Sequence, residues 1–209
     1  MRPFLPIFFA LFFALPLLAQ DDPNEPKPFI RAAIIAGMNV SQVDGDGIAG
    51  YRKFGANGGA AAYINLPKSF MVSFEILYSM RGAKASNYET IRDGRKLKLD
   101  LDYIEVPFMI NYNDRDKAIF GVGVSWNTLV RSNISPEVLA ENVVFKRTNL
   151  DFVGGVTFLI KKRYGINLRY SYSIIPVGNA VTTAGGIRTT LDGKLRNNVL
   201  GVRFIYLLN

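Results

Sequence analysis

The sequence predicts an all-β chain: an eight-stranded antiparallel up-and-down transmembrane β-barrel. Three observations predict it. Apolar residues alternate with small or polar ones along about eight separate stretches, the mark of strands with two unlike faces. The connections between them alternate short and long, as in barrels that gather tight turns on one rim and loops on the other. No Lys, Arg, Asp or Glu falls on the apolar side of these stretches, whereas the opposite side carries Arg31, Glu75, Arg81, Glu105, Asp151, Arg169 and Arg203. Charge inside and apolar surface outside is the inverse of a soluble core, and each stretch has the roughly nine to eleven residues a tilted strand needs to cross a bilayer.

The chain opens with Met1-Arg2, an apolar run from Pro3 to Leu18, and Ala19-Gln20. A positive start, an apolar core and a small residue at the cut site read as a secretory signal peptide over residues 1–19. The run is short for a spanning helix and is broken by Pro3, Pro6 and Pro16. Residues 20–28 are polar and proline-rich, an expected flexible periplasmic lead-in. Residues 29–209 then form the barrel domain.

The first strand is expected over about Ile30 to Ser41, with Ala32, Ile34, Ala36, Met38 and Val40 on one face. The second, about Phe54 to Leu66, is rich in Gly and Ala. The third, Phe70 to Arg81, sets Phe70, Val72, Phe74, Ile76, Tyr78 and Met80 against Ser73, Glu75, Ser79 and Arg81. The fourth, about Lys96 to Asn113, places Ile104, Val106, Phe108, Ile110 and Tyr112 opposite Glu105, Pro107, Met109 and Asn111. Its first half reverses parity at Leu97, Leu99, Leu101 and Tyr103, which implies a bulge near Tyr103 or a strand end projecting past the bilayer. Pro107 sits awkwardly in a central strand. The fifth (Ile119 to Leu129), sixth (Leu150 to Ile160), seventh (Tyr164 to Ser173) and eighth (about Val199 to Leu208) alternate in the same way. Aromatics near the strand ends form two expected interfacial girdles: Phe70, Tyr112, Phe120, Tyr164 and Tyr206 at the short turns, and Tyr78, Trp126 and Tyr172 at the long loops.

Composition narrows the chemistry. The formal charge is +8, and loss of Arg2 with the signal leaves +7. The basic residues are scattered rather than clustered, so nucleic acid is not an expected partner. There is no cysteine, hence no disulfide or thiolate metal site, and no histidine, hence no usual general base or imidazole ligand. No catalytic residue, metal or cofactor is expected. Asp44-Gly-Asp-Gly47 resembles the start of a calcium loop but lacks the later ligands and closing glutamate, so it reads as a surface turn. Gly185-Gly186 suggests loop mobility.

In an eight-stranded barrel the third strand faces the seventh and the fourth faces the eighth. Such a barrel is just wide enough for side chains to fill it. The expected site is therefore a cross-lumen charge network pairing Glu75 and Glu105 with Arg169 and Arg203, with Arg31 and Asp151 on the same face. A plugged lumen is expected over an ion path. In the long loops, Arg92, Arg95, Lys96, Lys146 and Arg147 are candidates for binding lipopolysaccharide phosphates or a partner protein, set against ordinary solvated loops.

Four stretches together resemble the PorT-like outer-membrane β-barrel proteins of Bacteroidota: Ala36-Gly-Met-Asn-Val-Ser41, Phe74-Glu-Ile-Leu-Tyr-Ser-Met-Arg-Gly-Ala-Lys84, Leu101-Asp-Tyr-Ile-Glu-Val-Pro-Phe108 and Val202-Arg-Phe-Ile-Tyr206. The resemblance spans nearly all of the mature chain and makes Pro107 part of a motif. It implies an eight-stranded barrel in the outer membrane of a Gram-negative bacterium, both termini periplasmic, with outer-membrane lipid and lipopolysaccharide as surroundings. Its namesake's link to type IX secretion implies secretion or assembly proteins as partners. The expected function is non-enzymatic: a structural or secretion/assembly accessory presenting extracellular loops. Alternatives are a narrow channel or small-solute transporter, or a soluble lipocalin-like carrier.

Overall fold

The computed structural model describes residues 28–45, 50–85, 98–135, 143–160, 163–180 and 194–208. The expected signal peptide lies outside the described residues, as do most of the lead-in, Asp46-Gly47 and Gly185-Gly186.

Eight long strands make the wall: β1 (Ile30–Asp44), β2 (Lys53–Asn65), β3 (Phe70–Lys84), β4 (Lys98–Asp114), β5 (Ala118–Ser135), β7 (Thr148–Ile160), β8 (Tyr164–Ser173) and β10 (Lys194–Leu207). Each pairs antiparallel with its neighbour in chain order, and β1 pairs with β10 from Ala33↔Leu207 to Asp44↔Arg196, so the sheet closes into a barrel. Two three-residue strands were not expected, β6 (Val143–Phe145) and β9 (Gly178–Ala180). They extend the sheet beyond the start of β10 at the long-loop rim. They are too short to carry an alternating pattern.

The pleat sorts side chains as the alternation requires. Phe74, Ile76, Phe108, Ile110, Val122, Trp126, Ile166 and Phe204 are exposed on the outer wall, while Glu75, Glu105, Asp151 and Arg203 are buried within. Outer aromatics pair across strands near the short turns, Phe70 with Tyr112 at 5.4 Å and Tyr164 with Tyr206 at 5.3 Å between ring centroids. A soluble carrier would hold such residues in a dry centre, so that alternative fails.

Two short turns are built without glycine. Lys68 and Ser69 have φ of 62° and 65°, and Arg115 and Asp116 have φ of 50° and 56°. Two successive residues at positive φ match the right-handed twist of a two-residue hairpin. The Asn113 side chain supports the second turn, accepting from the Asp116 backbone N–H at 3.0 Å and donating to Asp116 Oδ1 at 2.6 Å.

The expected trouble in the fourth strand has two causes. The bulge belongs to β5: Asp102 pairs with Arg131 and Tyr103 with Leu129, leaving Val130 as the extra residue. On β4 itself Leu99, Leu101 and Tyr103 continue the inward parity of Glu105, because the lumen turns apolar towards the long-loop rim. There Val43, Ala83, Leu99, Leu101, Tyr103, Ile134, Val177 and Leu195 form a buried cluster, with Leu129 and Phe145 packed on it. Pro107 leaves its mark on the ladder: β3–β4 pairing lapses between Phe74↔Phe108 and Leu77↔Glu105, opposite Pro107, where proline has no N–H to donate.

Candidate functional site

The inward face of the wall carries two ionic groups stacked along the barrel. The lower one, nearer the short turns, centres on Glu75 of β3. Arg169 of β8 reaches across the lumen and donates to both carboxylate oxygens, Nη1 to Oε2 at 2.9 Å and Nη2 to Oε1 at 2.7 Å. Arg203 of β10 donates from Nη1 to Oε2 at 3.0 Å and from Nε to Asn167 Oδ1 at 2.9 Å. Such a fork fixes geometry as well as charge. Asn167 in turn donates to Thr157 Oγ1 at 2.8 Å.

The upper group centres on Arg81 of β3. Its Nη2 lies 2.5 Å from Glu105 Oε1 and its Nη1 2.6 Å from Asp151 Oδ2. Asp151 also accepts from Asn149 at 2.6 Å, Ser171 at 3.1 Å and Ser173 at 2.9 Å. The Arg81 guanidinium stands 5.5 Å from the Tyr103 ring centroid, a cation–π distance. Asp151 sits four residues above Gly155, the partner of Arg169, roughly 13 Å along the strand at ~3.3 Å per residue.

The expected network is thus corrected in its pairing. Glu75 meets Arg169 and Arg203, but Glu105 meets neither; it pairs with Arg81 of the adjacent strand. Facing-strand counting ignores strand tilt and stagger, which set opposite walls at different heights. Asp151 belongs to the upper group, and Arg31 lies on the inward face of β1 near the short turns, partly buried. Arg81 was missed as a hub, although its inward parity and the two nearby carboxylates mark it. Above both groups, Lys53 of β2 reaches over β3 to Asp100 of β4. Of the loop candidates, Lys146 and Arg147 are exposed between β6 and β7, while Arg92, Arg95 and Lys96 lie outside the described residues.

Beside the lower group, among Tyr63, Asn111, Gly121, Gly155 and Thr157, the free space is about 10 Å³, room for one water. Part of the adjoining wall is apolar, built by Ala33, Ile35, Ala61, Tyr63, Leu77, Ile205 and Leu207.

A family model described as "Outer membrane protein beta-barrel domain" matches residues 18–179. No curated protein matches the chain. Among solved structures the chain is similar to Ail, the attachment invasion locus protein of Yersinia pestis, at 14% identity over 85% of this chain and 98% of that one, TM-score 0.47. It is similar to OprG from Pseudomonas aeruginosa at 12% identity over 90% and 100%, TM-score 0.47. Neisserial surface protein A is a third, at 10% identity over 87% and 99%, TM-score 0.46.

Proposed function

The chain belongs to the outer membrane protein β-barrel domain family, and from that premise we propose that it is a non-enzymatic, plugged barrel of the outer membrane that acts through its long loops. One observation carries the reading. The inward face carries two buried ionic groups, the pocket beside the lower one has room for about one water, and an apolar cluster packs the long-loop end. A conducting path needs a continuous file of water, and a catalytic site needs a reachable base or nucleophile. What remains for recognition is the loop rim. Short turns on the periplasmic side are the rule for such barrels. Ile30 of β1 pairs with Ile64 beside the first short turn, and Leu207 of β10 is bonded to Arg163 at another. Both termini accordingly face the periplasm in this reading.

The motif resemblance to PorT-like proteins favours a secretion or assembly accessory over a purely structural role. Lys146 and Arg147, with Arg92, Arg95 and Lys96, are the basic groups offered to lipopolysaccharide phosphates or a partner protein. Reconstitution in planar bilayers is expected to give no steady single-channel current; steady current from the wild type would replace this reading with a channel. Deleting residues 86–95 in a barrel that still inserts should alter the set of co-purified proteins. An unchanged set would remove that loop from recognition.

A further inference from the structure

We propose that the lower ionic group holds one small inorganic anion of halide size. The group is unbalanced: two guanidiniums, Arg169 and Arg203, share the single carboxylate of Glu75. A buried excess charge is costly unless a counter-charge joins it. The guanidiniums also have donors to spare. Among the described residues, Arg203 Nη2 and Arg169 Nε are buried and donate to no partner, although Nη1 and Nε of Arg203 and both terminal nitrogens of Arg169 are engaged. A buried guanidinium N–H left unsatisfied is the atom an anion would take.

A small space lies beside the same two arginines. Both arginines line the pocket beside Glu75, and that pocket has room for about one water-sized sphere. Its other polar walls include two hydroxyl donors, Thr157 and the Tyr63 phenol, while the Asn111 NH2 is taken up by Ser73 and Met109. Gly121 and Gly155 line it, and neither accepts a Cβ freely: one at Gly121 would meet Asn111 Oδ1 and one at Gly155 the Leu168 carbonyl. The upper group offers no such site. There Arg81 faces two carboxylates, so its excess is negative and repels an anion.

The test uses the full mature barrel in detergent or lipid. Crystals grown or soaked in bromide should show an anomalous peak within about 3.5 Å of Arg203 Nη2. Unfolding should also become harder as chloride or bromide rises, with saturation, while gluconate at equal ionic strength leaves the midpoint unmoved. Arg169→Met leaves Glu75 and Arg203 as a neutral pair, and it should abolish both the peak and the halide dependence. A water without anomalous signal at that position, or equal effects of halide and gluconate, would overturn the proposal. If Arg169→Met fails to insert, the bromide peak in the wild type decides alone.

Discussion

Glu75→Gln is the most informative single change. It keeps the side chain's shape and removes its charge. The residue is 2% exposed, and its carboxylate holds Arg169 at 2.7 Å and Arg203 at 3.0 Å. At an effective dielectric near 20, opposite charges about 4 Å apart attract by ~4 kcal/mol. The substitution removes two such attractions and leaves two guanidiniums side by side. Removing one partner of an ordinary buried pair costs ~3–5 kcal/mol. With two cations stranded, the loss should reach the upper end of that range, ~5 kcal/mol. Reversible urea unfolding in lipid vesicles would measure it. Trp126 is the chain's only tryptophan and is 57% exposed on the outer wall, so its emission reports the bilayer directly. A loss below about 1 kcal/mol, the scale of a solvated surface pair, would refute the argument that this centre is dry.

Other perturbations probe different parts of the wall by the same urea midpoint unless stated. Arg81→Met strands Glu105 and Asp151 together and should cost ~3–5 kcal/mol; a near-neutral result would mean the carboxylates are hydrated. Val122→Lys places a charge on the outer face and should cost ~2–4 kcal/mol near mid-membrane, measured also as loss of the heat-modifiable folded band on a gel. Gly82→Ala should cost at least ~1–3 kcal/mol, because Gly82 has φ of 135° and a Cβ would collide with the Leu99 carbonyl. Ser69→Gly should stabilise by ~1 kcal/mol, relieving a serine held at φ of 65°.

Much of this architecture is legible in the residues because a pleat has a period of two and lipid tolerates no charge. Phe74 next to Glu75, and Leu168 next to Arg169, declare which side is which. The heights of the charges are not legible. Pairing Glu105 with Arg203 requires facing walls in step, whereas tilt shifts them, and Glu105 finds Arg81 instead. The first half of β4 misleads for another reason. Above the bilayer the outer wall meets water, so Lys98 and Asp100 turn outward and Leu99 and Leu101 turn inward, as in a soluble protein. Alternation alone cannot tell a bulge from this exchange of solvents, and both occur within a few residues of Tyr103. The two short strands β6 and β9 leave no periodic trace at all.

The β1–β10 ladder joins residues from opposite ends of the polypeptide, and Arg203 rides on its final strand. The ring is therefore closed by the pair of wall strands farthest apart in sequence, and the same strand that covers the free edge of β1 brings the second guanidinium to Glu75. Closure of the wall and neutralisation of the central carboxylate thus share one strand.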